Sequence, residues 1–291
     1  MDHKELTGHF LELIRRASTV VPPDVEKAIR QGIENEGEGT TAASTLALLL
    51  ENCDKASDAS TPICQDTGAL YFFVDYGPDY RQKQLRAAIE EATAEATANY
   101  YLRPNAVDSV TGKNSGNNLG LGTPIIHFHE RDEDGLRVRL MLKGGGSENV
   151  SLQYKLPDGR LKAGRDMDGV RKCVIDAIFQ AQGKGCSPGV VGVGIGGNRD
   201  TSYSGAKEQL LRDLGDTNPD PELAKFEEQV LAEANSLGIG PMGLGGKTTV
   251  LGVKAGAMHR LPACFFVSTA YVCWAYRKAF MTVKGSEVSY D

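Results

Sequence analysis

The 291-residue sequence lacks a long apolar run, an excess of basic residues and any Cys-x-x-Cys pair. The longest apolar candidate, Cys264 to Tyr276, is interrupted by Ser268 and Thr269 and falls short of the roughly 20 residues that span a bilayer. The formal net charge of -6 provides no basic surface for nucleic acid or an anionic membrane. The first residues, MDHKELTGHF, lack the order of a signal peptide. We therefore expect a cytoplasmic protein without nucleic-acid or membrane partners.

The missing Cys-x-x-Cys pairs also limit how the six cysteines can be used. Disulfide frameworks are typical of small secreted domains, and zinc ribbons and ferredoxin-like sites use closely spaced cysteines. A metal site in this chain must therefore collect cysteines from distant segments. Cys53 and Cys173 fall on apolar helical stripes and are predicted to be core residues.

The other four cysteines are candidates for ligands. Cys64 in TPICQDTG and Cys186 in GKGCSPG lie in loops at the ends of predicted elements. Cys273 lies in YVCWAYRK, where the last strand is predicted to turn toward a helix, whereas Cys264 is explained equally well as a buried strand residue. The candidate set is Cys64, Cys186 and Cys273. Three thiolates would leave one iron of a [4Fe–4S] cluster open for Lewis-acid chemistry; unrelated thiols are the alternative.

Apolar periodicity predicts an α/β fold, a single mixed α/β domain over residues 1–291 with a helical N-terminal third. Helices are predicted at 41–53, 80–100 and 168–182, near 203–214, and at 221–236. Strands are predicted for ALYFFVDYG and LRVRLMLKG, for the apolar run that leads into GVGIGGNRD, and for KTTVLGVKAG and PACFFVSTAYVC.

Glycine is abundant, with 34 residues gathered mainly in GNNLGLGTP, KGGGSEN, GVGIGG and GIGPMGLGG. Because glycine is favoured where the backbone takes a positive φ or approaches another group closely, these loops are expected to converge on a cluster site. The alternative is a set of tight turns.

Two other classes of protein compete with a metal-site interpretation. Gly192, Gly194 and Gly197 match GxGxxG between a strand and a helix, the context of a nucleotide-binding loop. However, the chain about 20 residues further on is charged and helical rather than the end of a second strand. GGKTT also lacks the first P-loop glycine, whose position is taken by Pro241. A nucleotide-binding protein is thus the weaker alternative, and a non-catalytic assembly subunit is a third.

In these motifs the sequence closely resembles the alpha subunit of class I fumarate hydratase and L-tartrate dehydratase. The resemblance covers nearly the whole chain and preserves the order of the motifs. They are CQDTG from Cys64, YLRPNAVD with Arg103, TGKNSGNN from Thr111, KGGGSEN from Lys143, CSPGVVGVGIGG from Cys186, GIGPMGLGGKTT from Gly238, and STAYVCWAYR.

The resemblance implies the alpha subunit of a hydro-lyase that hydrates fumarate to malate, with dehydration of L-tartrate to oxaloacetate as the alternative. It implies a [4Fe–4S] cluster bound by three cysteines, Cys64, Cys186 and Cys273. It places at the dicarboxylate the side chains of Gln65, Asp66 and Arg103, which are also the expected catalytic residues, and the backbone of Gly144, Gly145 and Gly146. Asp66 in the DTG motif can equally be a turn-capping residue.

Two departures from the family pattern stand out. Family members often carry a histidine before the proline where this sequence has Leu261 and Pro262; no role is assigned to His259 or to Cys264. The sequence ends at Asp291 without the family's second part, which contributes a proposed base and further substrate contacts. The resemblance therefore implies a separate beta subunit that completes the active site in a heterotetramer or another hetero-oligomer.

Overall fold

In the computed structural model, which describes residues 1–291, the chain forms two compact units built from non-contiguous segments. Unit 1 comprises Met1–Pro22, Glu51–Gly145 and Arg277–Asp291, and unit 2 comprises Pro23–Leu50 and Gly146–Tyr276. Each unit combines helices with one sheet, so the predicted mixed α/β class is confirmed. That residues 1–291 form one domain stays a prediction. None of the helices is both long enough and apolar enough to span a membrane.

The helices are α1 His3–Thr19, α2 Pro23–Glu36, α3 Thr41–Ala59, α4 Gln82–Ala98, α5 Gly145–Asn149, α6 Met167–Ala181, α7 Arg199–Gln209 and α8 Pro221–Ser236, with a 3-10 turn at Pro241–Gly243. The strands are β1 Ala69–Tyr76, β2 Ile125–Glu130, β3 Leu136–Lys143, β4 Leu152–Lys155, β5 Gly189–Gly196, β6 Val250–Met258, β7 Phe266–Val272, β8 Arg277–Lys284 and β9 Glu287–Tyr290.

Unit 1 contains a five-stranded sheet of order β2-β1-β3-β8-β9, with α1 and α4 packed together beside it. Helix α1 begins at a capping box, in which Asp2 accepts a hydrogen bond from the backbone of Glu5 and the Glu5 side chain accepts one from the backbone of Asp2. Its apolar face is buried, and Phe10 meets Phe72 of β1 edge to face at 6.3 Å. The core of this unit thus lies between the two helices and the sheet.

Strand β3 departs from the predicted half-exposed pattern. Its first residues alternate between buried and exposed positions, but every residue from Leu140 to Lys143 is buried. β3 pairs with β1 on one side and with β8 on the other along nearly its whole length, so strand pairing alone does not account for this change in burial. A buried lysine at the end of an apolar strand marks this edge of the sheet as unusual.

Unit 2 contains a four-stranded sheet of order β4-β7-β5-β6. The central strand β5 pairs parallel with β6 and antiparallel with β7, and all eight of its residues are buried. Helix α7 packs on β5, α8 packs on β6, and α6 packs against α8. Cys173 of α6 is fully buried in this core and Cys53 of α3 is 2% exposed, so the prediction that both are core residues is confirmed.

The predicted turn into a helix after Cys273 is wrong, because residues 277–284 form strand β8. Ala279, Met281 and Val283 are buried at every second position, and the strand pairs with β3 and β9. The helix expected near 203–214 also lies earlier, at Arg199–Gln209, since Asn198 caps its start. Pairing with distant strands therefore determines the structure of residues 277–284, whereas local capping determines where α7 begins.

The GxGxxG glycines of unit 2 serve helix packing. A Cβ on Gly192 would lie 2.0 Å from the backbone oxygen of Ala206, and one on Gly194 would lie 2.0 Å from that of Ser202. Amides in the first turn of α7 have no partner within the helix. Two of them, those of Asp200 and Thr201, donate hydrogen bonds to the side-chain oxygen of Asn198. A phosphate-binding loop would use these amides for the ligand, so the arrangement disfavours the nucleotide-binding alternative.

Replacing Gly194 by alanine should destabilise the protein by at least about 2 kcal/mol, because α7 must move away from β5 to admit the methyl group. Gly8→Ala is the matched control, since Gly8 is an exposed residue of α1 with open space around it. That substitution should stabilise by roughly 0.5–1 kcal/mol. Urea unfolding of both variants provides the measurement; a neutral Gly194→Ala would contradict the packing described.

Candidate functional site

The loop before β1, which carries Cys64, Gln65 and Asp66, is held close to the end of β3. Gly68 in this loop has φ +81°, and a Cβ there would lie 2.6 Å from the backbone carbon of Lys143. Glycine is therefore required both by the backbone conformation and by the contact. Thr67 is fully buried, while Cys64 and Asp66 are half-buried and Gln65 is exposed.

The carboxylate of Asp66 binds two backbone amides of unit 1. Its Oδ1 accepts from the amide of Gly68 at 3.1 Å, and its Oδ2 accepts from the amide of Gly145 at 2.8 Å. The first bond is the turn-capping interaction that the DTG motif allows. The second joins two motifs far apart in the sequence. Asp66 is thus a turn cap that also contacts the glycine-rich KGGG segment.

Arg103 lies over the same loop. Its backbone amide donates to Thr67 Oγ1 at 3.1 Å, and its Nη1 donates to the backbone oxygen of Gln65 at 3.3 Å. The buried Asn118 holds the other side of this segment by donating to the backbone oxygen of Arg103 at 2.8 Å and to Thr97 Oγ1 at 2.9 Å. The exposed guanidinium therefore keeps further donors for a ligand.

Within unit 1 the structure thus brings together five residues of the predicted substrate site: Gln65, Asp66, Arg103, Gly144 and Gly145. Gly146 belongs to unit 2, where a Cβ at its position would lie 3.7 Å from the backbone oxygen of Lys184. The contacts are observed, and the catalytic and binding roles of these residues stay predictions.

Two buried cations at this edge were missed in the sequence. Arg277 at the start of β8 and Lys143 at the end of β3 are each only 1% exposed. Nη1 of Arg277 donates to the backbone oxygen of Asp66 at 2.6 Å. A signal for Lys143 was present in the sequence, because this basic residue lies between an apolar strand and a glycine-rich motif. Basic residues are almost never fully buried without a partner.

In unit 2, Cys186 and Cys273 lie at the same edge of the second sheet. The backbone amide of Trp274 donates to the backbone oxygen of Cys186 at 3.2 Å, which joins the two cysteine segments. Cys186 has φ +57°, an uncommon conformation for a residue with a side chain. Burial raises the pKa of Tyr271, and negative charge on the Cys273 and Cys186 sulfurs raises it further.

Glycine permits the close packing around Cys186. A Cβ on Gly185 would lie 2.6 Å from the Tyr271 ring, and one on Gly189 would lie 2.2 Å from it. The GIGPMGLGG segment packs on the same loop, since the hydroxyl of Ser187 donates to the oxygen of Gly240 at 2.7 Å. Within unit 2, the GIGPMGLGG cluster therefore packs against the loop that carries Cys186; convergence of the glycine clusters on a cofactor stays a prediction.

The chemistry of the predicted ligands fits an iron–sulfur cluster. Cys64, Cys186 and Cys273 form no disulfide, and each is partly exposed and lies in a loop at the end of a strand or before one. No group of three His, Cys, Asp or Glu side chains is arranged to hold a single metal ion. A cluster does not need that arrangement, because its thiolates bind different irons. The structure brings Cys186 and Cys273 together within unit 2, and Cys64 belongs to unit 1.

The two residues without an assigned role are at the surface. Cys264 precedes β7 and is partly exposed rather than buried in a strand, and Arg260 donates to its backbone oxygen at 3.4 Å. His259 is exposed. Neither contacts the predicted ligands in any observed hydrogen bond.

Comparison with known proteins identifies the family. Residues 7–282 match the model of the fumarate hydratase (Fumerase) family. A Geobacillus stearothermophilus protein named "Putative fumarate hydratase class I" is 52% identical over 278 residues, which cover 94% of this chain and 54% of that protein. The Escherichia coli K12 protein named "L(+)-tartrate dehydratase subunit alpha" is 31% identical over 284 residues, 96% of this chain and 90% of that protein.

The chain therefore belongs to the fumarate hydratase family. It spans about half the length of the Geobacillus relative and nine-tenths of the length of the Escherichia coli relative.

The burial of the cysteines predicts two classes of thiol reactivity. Burial raises the pKa of Cys173 to about 12, so this thiol stays protonated and unreactive near pH 8. Cys53 is shielded by its 2% exposure. Iodoacetamide should therefore label Cys64, Cys186, Cys264 and Cys273 in the folded, iron-free chain, and leave Cys53 and Cys173 unlabelled. Peptide mass spectrometry measures this, with urea-unfolded protein as the control in which all six should react.

Proposed function

We propose that this chain is the alpha subunit of a hydro-lyase that adds water to fumarate to form malate. The proposal is supported by membership of the fumarate hydratase family and by the name of the Geobacillus relative. The observation that carries it is the unit 1 arrangement, in which Arg103 donates to the backbone of the loop that carries Cys64 and Asp66, and the carboxylate of Asp66 binds the amide of Gly145. A separate beta subunit completes the site in a hetero-oligomer, and the cytoplasmic location stays a prediction.

In this proposal Cys64, Cys186 and Cys273 hold a [4Fe–4S] cluster. Such a cluster with three thiolate ligands leaves one iron open, which supplies Lewis-acid polarisation of a carbon–hydroxyl bond. The residues of this chain bind and orient the dicarboxylate around that chemistry. Their role as ligands is supported by their partial exposure and by the absence of a disulfide at each of the three cysteines.

Arg103 binds one carboxylate of the substrate. Its Nη1 donates a hydrogen bond to the backbone oxygen of Gln65, and this bond orients the guanidinium. The remaining donors can form the paired hydrogen bonds that suit a carboxylate. The same positive charge stabilises the negative charge that develops on that carboxylate before the neighbouring carbon is protonated in hydration, or as that carbon loses its proton in dehydration.

Asp66 is the proposed proton carrier: one of its carboxylate oxygens accepts a proton from the attacking water in hydration and returns it in dehydration. The amides of Gly68 and Gly145 hold the two oxygens in place, so a substrate hydroxyl or water would meet an oriented acceptor. The group that delivers a proton to carbon in hydration, and removes it as a base in dehydration, is assigned to the beta subunit. Backbone amides of Gly144 to Gly146 complete the contacts to the dicarboxylate.

Dehydration of L-tartrate is the second candidate reaction, and one observation favours it. The Escherichia coli relative is named L(+)-tartrate dehydratase subunit alpha, and its 31% identity extends over 96% of this chain. Both substrates carry two carboxylates that Arg103 and its neighbours could bind. The deciding experiment is anaerobic reconstitution with iron and sulfide, followed by assays of fumarate hydration and tartrate dehydration in the presence of the beta subunit. An intact cluster without either activity would contradict the proposal.

Replacing any one predicted ligand, by Cys64→Ser, Cys186→Ser or Cys273→Ser, should remove most of the bound iron and the activity, because a thiolate ligand is lost. Cys264→Ser is the matched control, also a partly exposed cysteine, and should keep both. Iron and sulfide analysis after reconstitution provides the measurement. A Cys64→Ser variant with full iron and full activity would instead favour the non-catalytic assembly subunit.

Arg103→Met should raise the KM for the dicarboxylate about 10- to 100-fold, because a charge-assisted hydrogen-bonding group is lost. Arg103→Lys should recover part of this, since it keeps the charge but not the paired donors. Lys113→Met, which removes another exposed cation from the same loop, is the control and should leave the KM unchanged. Equal KM values in Arg103→Met and the native protein would exclude Arg103 from carboxylate binding.

A further inference from the structure

Arg277 is among the largest fully buried side chains of the protein, although it carries a positive charge. Burying a charged group is costly unless hydrogen bonds compensate it. Nη1 has such a bond, to the backbone oxygen of Asp66 at 2.6 Å, but Nε has no hydrogen-bond partner. A buried cation with an unsatisfied donor calls for an explanation beyond packing.

The guanidinium also lies beside the side chain of Asp66. A Cβ placed on Gly144 would be 2.8 Å from Oδ2 of Asp66 and 3.6 Å from Nη2 of Arg277. The carboxylate and the guanidinium therefore border the same small space above the Gly144 backbone. Arg277 thus contacts Asp66 through the main chain and adds a positive charge next to its carboxylate, which the amides of Gly68 and Gly145 hold from other sides.

We propose that Arg277 is a positioning residue that fixes Asp66 in its working orientation through the hydrogen bond to the Asp66 backbone oxygen. This inference rests on the proposed function for the role of Asp66. Arg277 is buried and does not itself touch the substrate. It holds the loop so that the carboxylate of Asp66 stays on the amide of Gly145 and Gln65 stays beneath Arg103.

The kinetic test is a double-mutant cycle with Arg277→Met, Asp66→Asn and the double variant, each reconstituted and assayed with the beta subunit. Arg277→Met should lower kcat/KM about 100-fold, the loss expected when a catalytic group is displaced by about 1 Å. If Arg277 acts through Asp66, the kcat/KM of the double variant should be no lower than that of the less active of the two single variants. Losses that multiply would show independent action and overturn the proposal.

Two further variants separate positioning from general loss of stability. Arg277→Lys keeps a charge and one donor, and should recover at least about 10-fold of the kcat/KM lost in Arg277→Met. Arg139→Met removes another largely buried arginine from the same sheet, one that pairs with Asp75 at 3.5 Å, and should leave kcat/KM unchanged. An Arg139→Met variant as impaired as Arg277→Met, with matching thermal midpoints, would mean that Arg277 acts through the fold alone.

Amide hydrogen exchange tests the same proposal without any activity. The amides of Gly68 and Gly145 both donate to Asp66, so in Arg277→Met their exchange should accelerate at least about 10-fold while α4 and β1 stay protected. Unchanged exchange would overturn the positioning role. If the native chain with its beta subunit hydrates no fumarate and dehydrates no tartrate, the proposed function fails, and accelerated exchange would still show that Arg277 orders Asp66.

Discussion

The hydrogen bond from the buried Arg277 guanidinium to the backbone oxygen of Asp66 joins strand β8 to the loop that carries the predicted site residues of unit 1. It is possible because three neighbouring strands alternate in direction. Ala69 of β1 pairs with Lys143 of β3, and Leu142 of β3 pairs with Arg277 of β8. The start of β1, the end of β3 and the start of β8 therefore meet at one edge of the sheet. This edge sets the geometry of the candidate site.

Unit 2 uses antiparallel pairing in the same way. Val190 of β5 pairs with Val272 of β7, so the segment before β5 and the segment after β7 lie at one edge. Cys186 precedes β5 and Cys273 follows β7, which brings two cysteines from distant parts of the sequence together. Tyr271 fills the space between the glycines beside Cys186, and any larger residue at Gly185 or Gly189 would displace it.

The sequence was most informative where the signal was local or chemical. The strands around Leu70 and Val138, helix α8 and the buried stripe with Cys173 follow from periodicity and residue type. It was least informative where distant strands decide the outcome. The sequence predicts a turn toward a helix after Cys273, because nothing local reveals that β3 and β9 are available as partners for the next strand.

The sequence by itself determined the family, the separation of two core cysteines from four others, and the motifs in which Asp66 and Arg103 lie. Only the tertiary structure decided that the carboxylate of Asp66 binds the amide of Gly145, that the GxGxxG glycines admit a helix rather than a phosphate, and that Arg277 is buried beside Asp66. The physical reason is that strand pairing and burial depend on residues far apart in the chain, whereas composition and periodicity describe only neighbours.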